Sequence, residues 1–86
     1  MRRQVATENF LRAYEKFIRK HPDLVQKVEE MMDGLAADAA PIPSHRLRGN
    51  LSGFRTARIS QSYRLIFALE PGIIVFIDIG SHDDVY

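Results

Sequence analysis

The chain has 86 residues, no cysteine and a formal net charge of +1, from 12 Lys and Arg against 11 Asp and Glu. Its length suits one small domain over residues 1–86 with a modest core and excludes a second domain. Without cysteine there is no disulfide framework, thiolate nucleophile or cysteine zinc site, which favours a reducing cytoplasm. The apolar runs are far shorter than the roughly 20 residues of a membrane span, and no secretion signal is visible.

The first predicted elements are a short strand and a helix. Residues 2–7 alternate briefly between polar and apolar side chains, which predicts a strand, and Thr7 is suited to cap the helix that follows. From Phe10 to Ile18, apolar residues recur at the spacing of an amphipathic helix. The His-Pro dipeptide at 21–22 should end this helix, and its proline suits the first turn of a second one.

A second apolar stripe from Leu24 to Leu35 completes a predicted helical hairpin. Gly34, the alanine-rich stretch after it and the prolines at 41–43 indicate the end of the second helix.

Beyond Gly53 the apolar period changes to two, which predicts strands at residues 54–59, 63–69 and 73–79. The connections SQS and EPG are so short that these strands should form antiparallel hairpins. We expect two alternating sets of residues to cover the helices: Tyr63, Leu65, Phe67 and Leu69, and Ile73, Val75, Ile77 and Ile79. The fold class is therefore α+β, with a short N-terminal strand and a two-helix hairpin packed on a mainly antiparallel sheet of three to four strands.

The segment of residues 45–67 carries one His and five Arg without any Asp or Glu, so its target is expected to be an anion. A three-residue loop places Arg58 directly across from Arg64, and opposed like charges destabilise a strand pair unless an anion compensates them. A phosphate suits this role because a guanidinium binds it through paired hydrogen bonds. The alternative is a sheet face that only water and salt cover.

The other arginines of this segment have less specific roles. Arg46 and Arg48 can hold a nucleic-acid backbone in register, although an ordinary surface role explains each of them equally well. Arg55 alternates onto the other face of its strand and is expected to be mainly structural, with a buried stem.

His45 and His82 flank the basic strands, and histidine can exchange a proton near neutral pH. RNA can be cleaved without a metal or cofactor if one group removes the 2′-OH proton, another protonates the leaving 5′ oxygen, and a cation stabilises the phosphate. Two His and two Arg supply these parts, but the residues do not fix which His is the base. His21 is expected to be a helix cap or a surface residue.

Metal and cofactor chemistry has little support in the sequence. A two-His metal site would need Asp83 and Asp84, the only nearby carboxylates. There is no P-loop, GxGxxG, HExxH or nucleophile elbow, so no cofactor is expected. The last residue, Tyr86, either stacks on a base or anchors the C-terminus.

Three stretches carry a resemblance to a known family: HRLRGNLSGFR (45–55), TARISQSYRLIF (56–67) and IGSHDDVY (79–86). With the two N-terminal helices, they resemble the toxins of the RelE/ParE superfamily, and specifically the YafQ- and YoeB-like mRNA interferases. The resemblance covers nearly the whole chain. It implies a RelE-like, microbial RNase-like fold and cleavage of mRNA in the 30S A site of the ribosome, with a 2′,3′-cyclic phosphate and a 5′-OH as products. It also implies a cognate antitoxin that blocks the site and forms an oligomer with the toxin.

The resemblance also assigns roles to single residues. His45 matches a catalytic His of YafQ-like toxins and a catalytic Glu of YoeB-like ones, and Arg64 matches the phosphate-stabilising Arg of YoeB-like toxins. His82 matches the C-terminal catalytic His of both, and Tyr86 matches a terminal aromatic near the substrate. The chain departs from YafQ-like toxins at two positions: Arg58 stands in place of a strand His, and Ser62 in place of an Asp at the hairpin tip.

Two other functions share the fold and stay open at this point. A ParE-like toxin would bind DNA gyrase without catalysis, and an inactive relative would act only as an interaction module. The set of His45, Arg58, Arg64 and His82 distinguishes the nuclease, since a gyrase binder has no reason to assemble these side chains on one face.

Overall fold

The computed structural model describes residues 1–37, 42–47 and 53–85. These ranges contain five strands, named β1 (Arg3–Ala6), β2 (Ser44–Arg46), β3 (Arg55–Arg58), β4 (Tyr63–Glu70) and β5 (Ile73–Ser81). They also contain three helices, named α1 (Glu8–Lys20), α2 (Val25–Ala37) and α3 (His82–Val85). Within these ranges, no helix combines the length and the apolar character that a membrane span requires.

The five strands form one mixed sheet in the order β1-β5-β4-β3-β2. The β1 strand runs parallel to β5, and every other neighbouring pair is antiparallel. The α+β prediction is confirmed, with five strands instead of three to four. The additional strand β2 has only three residues, which is too short for a period-two pattern to appear in the sequence.

The first helix begins at a side-chain cap, as predicted. The Thr7 hydroxyl accepts a hydrogen bond from the Phe10 amide at 3.0 Å, and it lies 3.3 Å from the carbonyl oxygens of Phe76 and Ile77, to which it can donate. The cap therefore joins the start of α1 to β5. The helix ends at His21, whose amide donates to the Phe17 carbonyl at 2.8 Å.

The second helix ends within the range that the sequence indicates. A short 3₁₀ turn over Pro22–Leu24 leads into α2, which passes through Gly34 and ends at Ala37. Gly34 lies inside the helix, where a Cβ atom would lie 2.8 Å from Cδ1 of Ile42. The helix ends in the alanine-rich stretch, as the sequence predicts.

The core lies between the two long helices and one face of the sheet. Its most buried large side chains come from both layers: Phe10, Val28, Ile59, Leu65, Phe67, Ile74 and Phe76. On β4 the predicted alternation is confirmed for Leu65 and Phe67, whereas the outermost member of the set, Leu69, is exposed.

On β5 the predicted alternation is confirmed for Ile79 and is wrong for the other three residues of the set. The core receives Ile74, Phe76 and Ile79, while Ile73, Val75 and Ile77 are only half-buried. The cause is a register irregularity, since Ile66 pairs with Asp78 but the next residue, Phe67, pairs with Phe76. Ile77 is the extra residue, and one extra residue reverses the face that the following side chains take.

The Thr7 cap makes a testable contribution to stability. Thr7→Ala removes the acceptor for the Phe10 amide, and we expect it to lower the free energy of unfolding by about 1 kcal/mol in urea denaturation. Ser62→Ala, which removes an exposed hydroxyl from the β3–β4 loop, is the control and should change stability by less than about 0.5 kcal/mol. Equal effects of the two substitutions would show that the cap does not stabilise α1.

The contact between the two long helices predicts a pH dependence. The Tyr14 hydroxyl donates to Oε2 of Glu29 at 3.3 Å, and partial burial, followed by the charge and hydrogen bond of Glu29, raises the pKa of Tyr14 above 10.0. The stability that the raised pKa of Tyr14 contributes to the folded state is full below pH 10.0 and is lost as the pH rises through that raised pKa. Wild type should therefore lose stability relative to Tyr14→Phe as the pH rises above 10.0. Parallel urea-unfolding profiles for both proteins would contradict this.

Candidate functional site

The sheet face that carries the candidate site points away from the helices. In β3 and β4, the side chains of Ala57 and Leu65 enter the core, so those of Arg58 and Arg64 leave the sheet on its other side. Ile66 is also buried on this face and stands outside the cluster that packs on the helices. The sheet face that points away from the helices is thus partly apolar at its centre and basic near the β3–β4 loop.

Arg58 and Arg64 lie directly opposite each other across β3 and β4, as the three-residue loop predicts. Arg58 is exposed and Arg64 is half-buried. Neither guanidinium has a carboxylate within ion-pair distance in the part of the chain that the structure describes. The pair therefore keeps its mutual repulsion, which an anion between or above the two groups would relieve.

The Arg64 guanidinium is held by the loop beside it. Nη1 donates to the carbonyl of Ser60 at 3.1 Å and to that of Tyr63 at 3.3 Å. A guanidinium has five N–H donors, so Nε and Nη2 retain three of them for a ligand. Two carbonyl contacts fix the plane of the group before a ligand arrives, which reduces the reorganisation needed on binding.

His45 lies on the same face as the arginine pair. It is exposed on the outermost strand, β2, and pairs with Thr56, which is two residues before Arg58. Directly opposed residues of an antiparallel pair project to the same side. The structure thus brings His45 to the arginine face, one strand beyond Arg58.

His82 lies on the opposite side of the arginine pair from His45. It begins α3 immediately after β5, two residues beyond Gly80, which pairs with Arg64. Its imidazole is mostly exposed, and Nδ1 lies 3.8 Å from Oδ1 of Asp83, a distance at the long limit for an ion pair. The register of β4 against β5 therefore sets the distance from His82 to Arg64.

Arg46 and Arg55 belong to the other face of the sheet. They oppose each other across β2 and β3, one position away from the His45–Thr56 pair. Arg55 donates from Nε to Oγ of Ser44 at 3.0 Å and from Nη2 to its carbonyl at 3.3 Å, in agreement with a structural role. Arg46 is exposed and is not brought to the side of His45, so the structure separates it from the other predicted site residues.

Two predicted substrate-binding residues, Arg48 and Tyr86, lie outside the described residues. Ser62 is exposed in the β3–β4 loop, where its amide donates to Oγ of Ser60 at 3.4 Å. Across residues 1–37, 42–47 and 53–85, the structure holds no group of three or more His, Asp or Glu residues placed to share a metal ion.

Thr56 is a residue of this face that the sequence did not single out. It is 7% exposed, and its hydroxyl oxygen is buried without a hydrogen-bond partner among the described residues. Leaving such a group unpaired costs about 1–3 kcal/mol. The position between His45 and Ile66 on the neighbouring strands explains the burial. No pattern in the sequence reveals it, because burial on the second face of a sheet depends on tertiary structure.

The comparisons with known proteins give one family and one fold. A family model described as the bacterial toxin of type II toxin–antitoxin systems, YafQ, matches residues 2–86. The structure is similar to YafQ from E. coli strain BL21(DE3), with a TM-score of 0.87, 21% identity and coverage of 100% of this chain and 99% of that one. No curated protein sequence matches the chain.

Two further solved structures have the same fold. YafQ in the E. coli DinJ–YafQ complex has a TM-score of 0.85 and 22% identity, with 100% of this chain and 99% of that one covered. The YoeB dimer from Staphylococcus aureus has a TM-score of 0.78 and 19% identity, with 94% and 97% covered. At such low identities, structural likeness establishes the fold only.

The opposed arginines predict that removing one charge stabilises the chain. We expect Arg58→Gln to raise the free energy of unfolding by about 0.2–1 kcal/mol, most strongly at low ionic strength, because it ends the repulsion with Arg64. Urea denaturation at two salt concentrations measures this. Lys27→Gln, an exposed change on α2, is the control. A loss of stability in Arg58→Gln but not in Lys27→Gln would mean that the two guanidinium groups do not repel each other.

Proposed function

The chain belongs to the YafQ family of toxins of bacterial type II toxin–antitoxin systems, and from this membership we propose that it is a ribosome-dependent endoribonuclease that cleaves mRNA. The membership also confirms the resemblance on which the sequence analysis relied. The observation that carries the proposal is the unpaired Arg58–Arg64 couple, with His45 on the same sheet face and His82 at the end of the adjoining strand.

The proposed reaction needs a base, an acid and a cation. His45 removes the 2′-OH proton, and the 2′ oxygen forms a bond to phosphorus. His82 gives a proton to the 5′ oxygen as the P–O5′ bond breaks, which leaves a 2′,3′-cyclic phosphate and a 5′-OH. One proton is taken and one is given, so the reaction balances without a metal or a cofactor.

The two arginines stabilise the negative charge that grows on the phosphate oxygens. Arg64 is the better placed because carbonyl oxygens already orient its guanidinium, so its remaining donors require little ordering. Arg58 is exposed on the opposite strand and supplies a second positive charge to the same anion. A phosphate between them would convert a repulsive pair into an attractive triad.

The low net charge agrees with dependence on the ribosome. A protein of formal charge +1 gains little from nonspecific attraction to RNA, so it needs another surface to present the mRNA. The ribosomal A site can supply that presentation. The proposal accordingly includes weak cleavage of free RNA.

The proposal includes a partner and a compartment. YafQ of E. coli has been crystallised in a DinJ–YafQ toxin–antitoxin complex. We extend this to the present chain: a cognate antitoxin binds it, forms an oligomer with it and blocks the site. Its place of action would be the cytoplasm, where ribosomes and mRNA are found.

The test is to induce the protein in a bacterial host and map mRNA 5′ ends by primer extension. Wild type should give cuts in phase with codons inside translated regions. His82→Ala and Arg64→Ala should each lower cutting by about 100-fold or more, which is the usual effect of losing an acid or a charge-stabilising donor. Arg3→Ala, an exposed change on β1, is the matched control and should cut like wild type.

Circular dichroism and thermal melting separate a chemical effect from unfolding. His82→Ala and Arg64→Ala should each have the spectrum and the melting temperature of wild type. Full toxicity in both variants would show that the site is elsewhere. Growth arrest with intact mRNA would favour inhibition of DNA gyrase, and no arrest would indicate an inactive relative or a binding module.

A further inference from the structure

A cavity of about 530 Å³ lies between α1 and the last residues of β5. Arg12, Lys16 and Lys20 line its helical wall, and the backbone from Asp78 to Ser81 lines the opposite wall. Tyr63 also lines it. The amino-acid sequence does not reveal this cavity, since the α1 cations have the spacing of an ordinary solvent-facing stripe.

The charge of this cavity is strongly positive. Its three α1 cations are spaced four residues apart, which puts about 6 Å of helix axis between neighbours on one side of the helix. None of the three takes part in an ion pair between described residues, whereas Arg19 on the same helix pairs with Glu15.

The single carboxylate on the walls, Asp78, does not balance these charges. One of its oxygens accepts from the Ile79 amide at 2.8 Å, so it is engaged in capping the strand edge. Three positive charges therefore line a cavity with a single carboxylate, one oxygen of which already accepts a hydrogen bond. The ligand that fits this charge distribution is an anion.

Three of the residues that line the cavity carry aromatic rings. The rings of His21 and Tyr63 have centroids 4.4 Å apart, and Phe17 meets Tyr63 edge to face at 5.4 Å. His21 and Tyr63 both line the cavity and are only half-buried. Aromatic rings beside a row of cations are the combination that binds single-stranded nucleic acid, with bases on the rings and phosphates on the cations.

The strand edge in the cavity argues against an added peptide strand. The Ile77 carbonyl already accepts from Nδ2 of Asn9 at 2.8 Å, and Asp78 caps the Ile79 amide. A peptide that extended the sheet here would have to displace both bonds. An RNA strand needs neither group, so the observations favour RNA over an acidic peptide.

The cavity adjoins the candidate catalytic face at the end of the β4–β5 pair. Tyr63 pairs with Ser81 on the cavity side, and the next pair, Arg64 with Gly80, belongs to the catalytic face. His82 follows Ser81 directly. A strand of RNA that passes His82 can therefore reach from one face of the sheet to the other within a short distance.

We propose that this cavity is a second RNA subsite, which holds a phosphate next to the cleaved one on Arg12, Lys16 and Lys20 and stacks a base on the Tyr63–His21 rings. The inference rests on the proposed function, because it takes RNA as the substrate. It adds a site on the helical side of the sheet that fixes the position of the strand relative to His82.

The test measures RNA binding separately from cleavage. Full-length protein with His82→Ala is titrated into a fluorescein-labelled single-stranded RNA of about eight nucleotides, and anisotropy gives Kd at several salt concentrations. The further triple change Arg12→Ala, Lys16→Ala and Lys20→Ala should weaken binding at least about tenfold. It should also reduce the slope of log K against log salt by about 0.7, the value for one lost phosphate contact on a single strand.

The control variant removes three cations that lie outside the cavity: Arg3→Ala, Arg19→Ala and Lys27→Ala. It has the same net charge as the cavity variant and should keep Kd within about twofold of the His82→Ala parent. Equal weakening in both variants would reduce the effect to general charge and overturn the subsite. Displacement of the RNA by a glutamate octapeptide as readily as by unlabelled RNA would also overturn it, in favour of an acidic peptide.

The two proposals fail in different ways. If the cavity variant loses RNA binding while wild type makes no cuts in cells, the cavity binds RNA but the nuclease fails, and with it the cavity's role beside a cleaved phosphate. If wild type cuts mRNA and the cavity and control variants bind RNA equally, the nuclease stands and the subsite fails. Substituting Tyr63→Leu and Tyr63→Phe tests the stacking, since only the phenylalanine variant should retain wild-type affinity.

Discussion

The register of β4 against β5 is the constraint on which the rest of the molecule depends. These two strands form the centre of the sheet, and each also pairs with an outer neighbour. Their side chains supply most of the sheet's share of the core, at about 1.5–3 kcal/mol for each large apolar side chain buried. A slip of one residue would move Leu65 and Phe67 to the other face and bring Arg64 into the core, so the core fixes the site.

The sequence predicted the elements whose causes are local. The Thr7 cap, the His-Pro break between the helices and the hairpin loops each depend on a few neighbouring residues, and the structure confirms them. The Arg58–Arg64 opposition followed from the loop length alone. The basic face was thus predictable to the extent that one hairpin determines it.

What the sequence could not predict depends on distant partners. The run of apolar residues from Ile73 to Ile77 hides any period of two, so the extra residue on β5 appears only when β4 is beside it. β2 is too short to show a pattern, and the burial of Thr56 needs the neighbours of two other strands. The α1 cavity likewise arises because β1 pairs with β5 only as far as Phe76 and leaves the end of that strand beside the helix.

The parallel pairing of β1 with β5 has a consequence for the order in which the protein assembles. Thr7 and Ile77, which are joined through the helix cap, are separated by 70 positions in the chain. A contact of such long range requires an expensive loop closure and forms late in folding. During synthesis β1 therefore cannot pair until β5 has been made. A translation product that stops before β5 would have neither the complete five-stranded sheet nor His82. The candidate site depends on the register of β4 against β5 and includes His82, so it can form only after β5 and the start of α3 have been synthesised.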